Sequence, residues 1–382
     1  MTPIADRHAP TLLTSTLVGV PMLGLAGAGL SLGALIAARA WALGPTAALT
    51  ALALATLTTV PYLLLVLWVD RHEAEPVPLL GLALAWGAVN AAIASMHGAA
   101  WASYAFGAAA DGWASGLAAP VIEEGLKALP LVALLLIARG ELDGVLDGVI
   151  YGAMVGLGFA WFENFLYYLL ATSTGLADAF ELAWLRGVLC GLGSHATFSG
   201  IVGAGVGLHR ALRSRPSRHA AIPVALALAI GAHALWNLAA PDLLAHDPDR
   251  MHRLLVTAPL TVAALQGPFL LLVGALVVLE WRHQDELIVA FLGQEPPDIL
   301  HTGELSHLVP ARRRVGRELR ALFTGGPAAF LRHRRLSDGL VRLAFARWHH
   351  LHDEVPWHAD ADPEIAGLRR RVRAERARGT TL

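Results

Sequence analysis

A chain of 382 residues with 55% hydrophobic side chains, a mean hydropathy of +0.53 and only 15% charged residues is too apolar for an ordinary soluble domain. Its single cysteine, Cys190, excludes a disulfide framework and a thiolate zinc site. The formal net charge of −1, with no GxGxxG or P-loop motif, gives no reason to expect a nucleic-acid partner.

Apolar stretches of spanning length, about 20 residues each, recur through the first three quarters of the chain. They predict an all-α polytopic bundle of about eight transmembrane helices, near 13–37, 47–69, 78–100, 116–138, 145–171, 183–208, 220–240 and 255–280. The first ends at Ala37-Ala38-Arg39-Ala40, which resembles a cleavage site. Its apolar run is too long for a signal-peptide core, so a retained helix is expected. After the second span comes the acidic stretch Asp70-Arg-His-Glu-Ala-Glu75-Pro76, read as a solvated cytosolic loop.

The fourth span carries Glu123, Glu124 and Lys127, the only lysine of the chain. Each ionised group at the bilayer centre costs about 3 kcal/mol, and such groups usually face a bundle interior. Glu123 and Lys127 are four apart with the glutamate first, the favourable order for a pair along one helix face. Glu124 is three from the same lysine, so one ammonium can serve either carboxylate. Two adjacent buried carboxylates held in different protonation states suit acid/base work.

The fifth span opens with Asp143 and Asp147, where solvation or a helix N-terminal role accounts for them. It carries Gly144, Gly148, Gly152 and Gly156 on one face, and then Glu163 and Asn164. The sixth continues the small-residue pattern with Gly187, Gly191, Ser199, Gly203 and Gly207, and holds His195. Such stripes let helices approach closely in lipid. The seventh span contributes His233 and Asn237. With a rise of about 1.5 Å per residue, Glu123, Glu163, His195 and His233 fall in one slab of the outer half of the membrane. A lone intramembrane histidine is usually an interhelical hydrogen-bonding group, and each asparagine alone reads as structural. Two histidines and three glutamates at a common depth point instead to one site.

Arginines gather at Arg210, Arg213, Arg215 and Arg218 and again after the eighth span, at Arg282 and Arg312-Arg313-Arg314. The positive-inside rule puts both groups, and with an even span count both termini, in the cytoplasm. Arg39, Arg250 and Arg253 are the fewer exceptions. Residues 1–281 are therefore expected to form the bundle and 282–382 a basic cytosolic tail, helical over Val309–Phe323, Ala328–His350 and Pro363–Arg378. Acidic residues interspersed in the tail and the lack of a stacking motif favour contact with anionic lipid headgroups over RNA.

In order, these residues resemble the PrsW family: Glu123-Glu124-x-x-Lys127, then Asp147-Gly148-x-x-Tyr151-Gly152-x-x-x-Gly156-x-Gly158-Phe159-x-x-x-Glu163-Asn164, then His195 and His233-x-x-x-Asn237. The stretch ending at Pro76 is similar to that family's acidic loop, and the likeness covers about residues 60–240. The family consists of intramembrane proteases distantly related to the CAAX prenyl endopeptidases and the bacteriocin-processing membrane proteases. The resemblance implies hydrolysis of a peptide bond of a membrane protein, for example a single-pass anti-sigma factor, in a bacterial inner membrane. A zinc ion with three protein ligands would activate water. His195, His233 and Glu163 are ligands of suitable type, with Glu123 as general base, Glu124 positioning it and Lys127 neutralising the pair. Asn237 or Asn164 would bond the oxyanion. A metal-free version, in which Glu123 activates water and the histidines bind the oxyanion, stays open. A cation-coupled transporter could use the same carboxylates, but no inverted repeat is evident and the groups form a slab, not a file. A silent scaffold would have lost part of the constellation, which is complete.

Overall fold

The computed structural model describes residues 12–106, 113–137, 142, 144–212, 214–352 and 363–382; Asp143 and Arg213 lie outside them. The described residues contain helices and connections and no strand. That is the expected response of backbone to lipid, where every N–H and C=O must be paired within its own segment. Contacts divide the chain into two units, one of residues 1–70 and 75–277 and the other of 71–74 and 278–382.

The first unit runs through α1 (Leu12–Leu43), α2 (Pro45–Val69), α3 (Val77–Phe106), α4 (Trp113–Ile137) and α5 (Val145–Thr172), then the short α6 (Leu176–Leu182). It continues with α7 (His195–Ala211), α8 (Arg215–Ala245), α9 (Arg250–His252), α10 (Ala258–Leu265) and the first part of α11 (Gly267–Leu292). Among the described residues, helices at Val18–Ala42, Pro45–Val69, Val145–Thr172 and Arg215–Ala245 are long and apolar enough to cross a membrane. Two bent pairs, Leu176–Leu189 with Gly191–Ala211 and Arg250–Leu265 with Gly267–Leu292, raise the number to as many as six. The chain is thus a helical membrane bundle, in which the described residues show four to six of the eight expected spans; the third appears only as the shorter apolar stretch Val77–Asn90. The expected sixth and eighth spans are broken, by 61° at Cys190 and by 55° at Gln266. A cluster of Gly191, Gly193 and Ser194 marks the first break and a Gly267-Pro268 pair the second, both strong helix punctuation.

Close backbone approach organises the centre. A methyl group at Gly148 would overlap the backbone of Gly203, and one at Gly156 the backbone of His195. The small-residue stripes of α5 and α7 therefore face each other, and this contact sets His195 against α5. A second device holds α3 to α4. Pro130 has no N–H and leaves the carbonyl of Leu126, four residues earlier, without its helical partner. The Trp86 indole N–H and the Asn90 amide donate to that carbonyl at 3.1 and 3.3 Å. One turn of α4, the one that carries Lys127, is thereby pinned from α3.

The loop between α2 and α3 is not solvated as expected. Asp70 and Glu75 are buried; the Asp70 carboxylate accepts the Glu75 N–H at 2.9 Å, and the Tyr151 hydroxyl donates to the Glu75 carboxyl at 2.6 Å. Asp147, also buried, closes the N-terminus of α5 by accepting the Gly144 N–H at 2.7 Å.

The second unit has its own core. Ile288, Leu292, Leu308, Leu336, Leu340, Phe345, Ile365 and Leu368 pack together from α11, α12 (Leu305–Leu308), α13 (Ala311–His352) and α14 (Pro363–Ala377). Arg347 and Arg369 both bond the buried Glu295 carboxylate, at 2.7 and 2.9 Å, so the interior charge is compensated.

Candidate active site

A cavity of about 480 Å³ in the first unit is lined by Glu123, Glu163, Asn164, Arg186, His195, His233 and Asn237 on its polar side, from α4, α5, α7, α8 and the turn before α7. Leu182, Leu185, Leu244 and Val262 form part of the apolar wall. Glu123, Glu124 and Lys127 come from successive positions of α4 between Pro120 and Pro130. The single ammonium does not serve the two glutamates equally: Lys127 Nζ is 2.6 Å from Glu124 Oε1 and 3.9 Å from Glu123 Oε2. It also lies 3.1 Å from His195 Nδ1 and 4.0 Å from the centre of the Phe159 ring. Lys127 is fully buried, and these contacts stand in for the water it lacks.

Glu124 spans two helices. The oxygen that takes Lys127 also lies 2.9 Å from His233 Nδ1 on α8. A carboxylate at Nδ1 fixes the ring and keeps a proton there, which turns the basic Nε2 outward. That Nε2 is 3.8 Å from Glu123 Oε2. Phe198 stacks on the same imidazole with ring centres 5.2 Å apart, and the His195 ring meets it edge-on at 5.1 Å.

His195 owes its place to the broken span. A π-helical turn (Ala183–Leu189) and a 3-10 turn (Gly191–Gly193) precede it, so it begins α7 inside the bundle. Non-helical backbone at this depth is tolerated where side chains satisfy it. Here the Tyr62 hydroxyl bonds the Val188 carbonyl at 2.6 Å and Thr197 bonds Leu192 O at 2.6 Å. His195 Nε2 is 2.9 Å from Glu163 Oε2.

Arg186, on the π-helical turn, did not figure in the sequence reading. It donates to Glu163 Oε2 at 2.5 Å and to Asn164 Oδ1 at 3.0 Å, and lies 3.8 Å from the centre of the Tyr167 ring. As an arginine within an expected span it carried the same signal as Lys127. Asn164 is thus occupied by the guanidinium, whereas Asn237, one turn beyond His233, is half-buried on the cavity wall.

All eight residues singled out in the sequence lie in or against this locus, but their grouping differs from the expected ligand set. Glu123, His195 and His233 each offer a ligand atom within 4.8 Å of the others. Glu163 meets the cluster through His195, with its carboxylate engaged by Arg186. One carboxylate and two imidazoles form a suitable set for a divalent transition-metal ion. Glu123 Oε2 is buried with no hydrogen-bond partner, as an oxygen reserved for a cation would be.

No curated protein and no solved structure matches the chain. A family model does, over residues 75–264, about half of the sequence and the half that contains every residue of the cavity: PrsW family intramembrane metalloprotease. With the paired glutamates, the two histidines and the cavity they enclose in the same segment, the chain belongs to the PrsW family and is a membrane-embedded peptidase.

Proposed function

We propose that this peptidase cleaves a membrane-anchored protein, such as a single-pass anti-sigma factor, with zinc held by Glu123, His195 and His233. The observation that carries this reading is the gathering of these three donors within 4.8 Å on the wall of a cavity inside the bundle. A bound zinc ion supplies Lewis acidity, bringing the pKa of a water towards about 7 and polarising a carbonyl.

The chain's own groups do the rest. Glu124 holds the His233 ring, and Lys127 balances the charge of Glu124. Hydrolysis must carry one proton from water to the leaving nitrogen. Glu163 is the cavity carboxylate outside the trio, and both hydrogen bonds it accepts fall on Oε2, so Oε1 serves this transfer. The Asn237 amide donates to the carbonyl oxygen as charge develops on it. The apolar wall of Leu182, Leu185, Leu244 and Val262 receives a hydrophobic substrate residue and keeps bulk water out. What supports this over a cation-coupled transporter is the clustering of the charged groups around one cavity. The protein is read as a multi-pass protein of the cell membrane, a bacterial inner membrane, with both termini in the cytoplasm.

The test is reconstitution of the full chain with a candidate single-pass substrate. Glu123→Ala should reduce cleavage about 100-fold or more, and the purified wild type should hold zinc that a chelator removes together with activity. Cleavage that survives chelation but not Glu123→Ala would replace the metal with direct activation of water by Glu123. Full activity in Glu123→Ala would remove the site assignment.

A further inference from the structure

The long helix α13 of the second unit is two arms. At Gly326 the backbone takes φ 73 and the next residue is Pro327, so the helix cannot run through. The arms double back, and Ser337 of the second donates to Glu318 of the first at 2.7 Å. One face of the second arm enters the core through Leu336, Leu340 and Val341. Near the turn the apolar residues face outward: Phe323 is 84% exposed, Leu331 47% and Leu319 45%. The same two arms carry Arg312, Arg313, Arg317, Arg320, Arg332 and Arg335, all exposed. Only Glu318 and Asp338 oppose them on these arms; Ser337 occupies the first, and Arg334 pairs with the second at 3.7 Å.

We infer that this hairpin tip is an anionic-lipid anchor, with Phe323, Leu319 and Leu331 seated among the acyl-chain ends and the arginines on lipid phosphates. Two chemistries must be satisfied at once, an apolar surface for the tip and negative charge for the arginines of its arms. A bilayer containing acidic phospholipid presents both at the right spacing, phosphate above hydrocarbon. Arginine stems can lie along the apolar surface while their heads remain at the phosphates. A nucleic acid would take the arginines and could stack on Phe323, but would leave Leu319 and Leu331 uncovered. The chain is itself embedded in a membrane, so this ligand is always present at high effective concentration. The inference goes beyond the peptidase reaction and does not depend on the metal.

The experiment places an environment-sensitive fluorophore on Phe323→Cys in a Cys190→Ser background and reconstitutes the full chain in nanodiscs. One set of discs contains phosphatidylcholine alone and the other adds phosphatidylglycerol. Expected in the acidic discs are a blue-shifted emission and quenching by lipids spin-labelled on the acyl chain. Both should weaken in zwitterionic discs and in the variant carrying Arg317→Glu and Arg320→Glu. Circular dichroism of each variant should match the wild type, because every substituted tail position is exposed and outside the core. Water-like emission without quenching in both discs would overturn the anchor and leave an acidic protein partner as the occupant. Equal quenching in both discs would overturn the requirement for anionic lipid.

Discussion

Between Arg186 and His195 lies a single carboxylate, Glu163, which accepts hydrogen bonds from both on one oxygen. The arginine therefore reaches the proposed ligand His195 without touching it. With Nε2–H committed to Glu163, the basic nitrogen of His195 is Nδ1, which accepts from the Lys127 ammonium at 3.1 Å and would exchange that bond for a metal ion. Partners of this kind orient metal-binding imidazoles, and their loss typically costs about 10–100-fold in metal affinity. Arg186→Ala is expected to weaken zinc binding by that order, read by competition with a chelator and independently of turnover. Arg186→Lys keeps the charge but not the planar fork onto Glu163 and Asn164, so it should recover only part of the affinity. Equal affinity in wild type and Arg186→Ala would reduce the residue to packing. The site was legible in the sequence to the extent that ionised groups in an apolar run must face one another. That Glu123 gathers with both histidines within 4.8 Å was not, because the pairing of Glu163 with Arg186 depends on the register of a π-helical turn that no spacing rule counts.

Glu75 shows what is lost when a connection between helices is read only for its polarity. Asp70-Arg-His-Glu-Ala-Glu75-Pro looked like a solvated turn, yet Asp70 and Glu75 are buried where α2 ends and α3 begins. Burial, with the Asp147 carboxylate beside it, pushes the Glu75 carboxyl up to about 10, so at neutral pH it holds its proton and can donate to Asp147. The sign of the linkage follows. A carboxyl whose folded value is raised contributes stability that is full below its unfolded value of about 4.3 and is lost as pH climbs towards the folded value of about 10. Thermal unfolding of the detergent-solubilised protein should therefore fall steadily from mildly acidic to alkaline buffer. Glu75→Gln, isosteric with the protonated acid, should flatten that slope and unfold at higher temperature than the wild type in alkaline buffer. A wild-type profile as flat as that of Glu75→Gln would show that the carboxyl ionises without consequence. The α5–α7 contact was readable from its glycine stripes at the same level of detail. The breaks in the sixth and eighth spans were signalled by Gly191, Gly193 and the Gly267-Pro268 pair, but hydropathy averaged over a window passed across them.

Across the whole molecule, sidedness rests on how the α6–α7 pair is counted. If this pair, bent by 61°, crosses the membrane, the chain on either side of it lies on opposite faces; if it re-enters, both ends share one face. The arginine distribution favours a crossing, the topology proposed above. Arg210, Arg215 and Arg218 cluster between α7 and α8, and the chain beyond α11 is rich in arginine, so both belong in the cytoplasm by the positive-inside rule. The end of the pair at α6 carries Asp178 and Glu181. Two of the three arginines that run against the rule, Arg250 and Arg253, are held there: Arg250 pairs with Glu181 at 2.6 Å and Arg253 with the same carboxylate at 3.5 Å. These pairs tie α9 and the turn after it to α6 beside Leu182 and Leu185, residues shared with the candidate cavity, which gives the two arginines a structural reason to stay. Reporters fused after Arg218 and at Leu382 should therefore report cytoplasm, and one inserted near Thr174 the opposite side. The same face for Thr174 and Arg218 would make α6–α7 a re-entrant loop. His195 would then sit at the tip of a hairpin entering from one side, and the common depth of the four polar helices would need another cause.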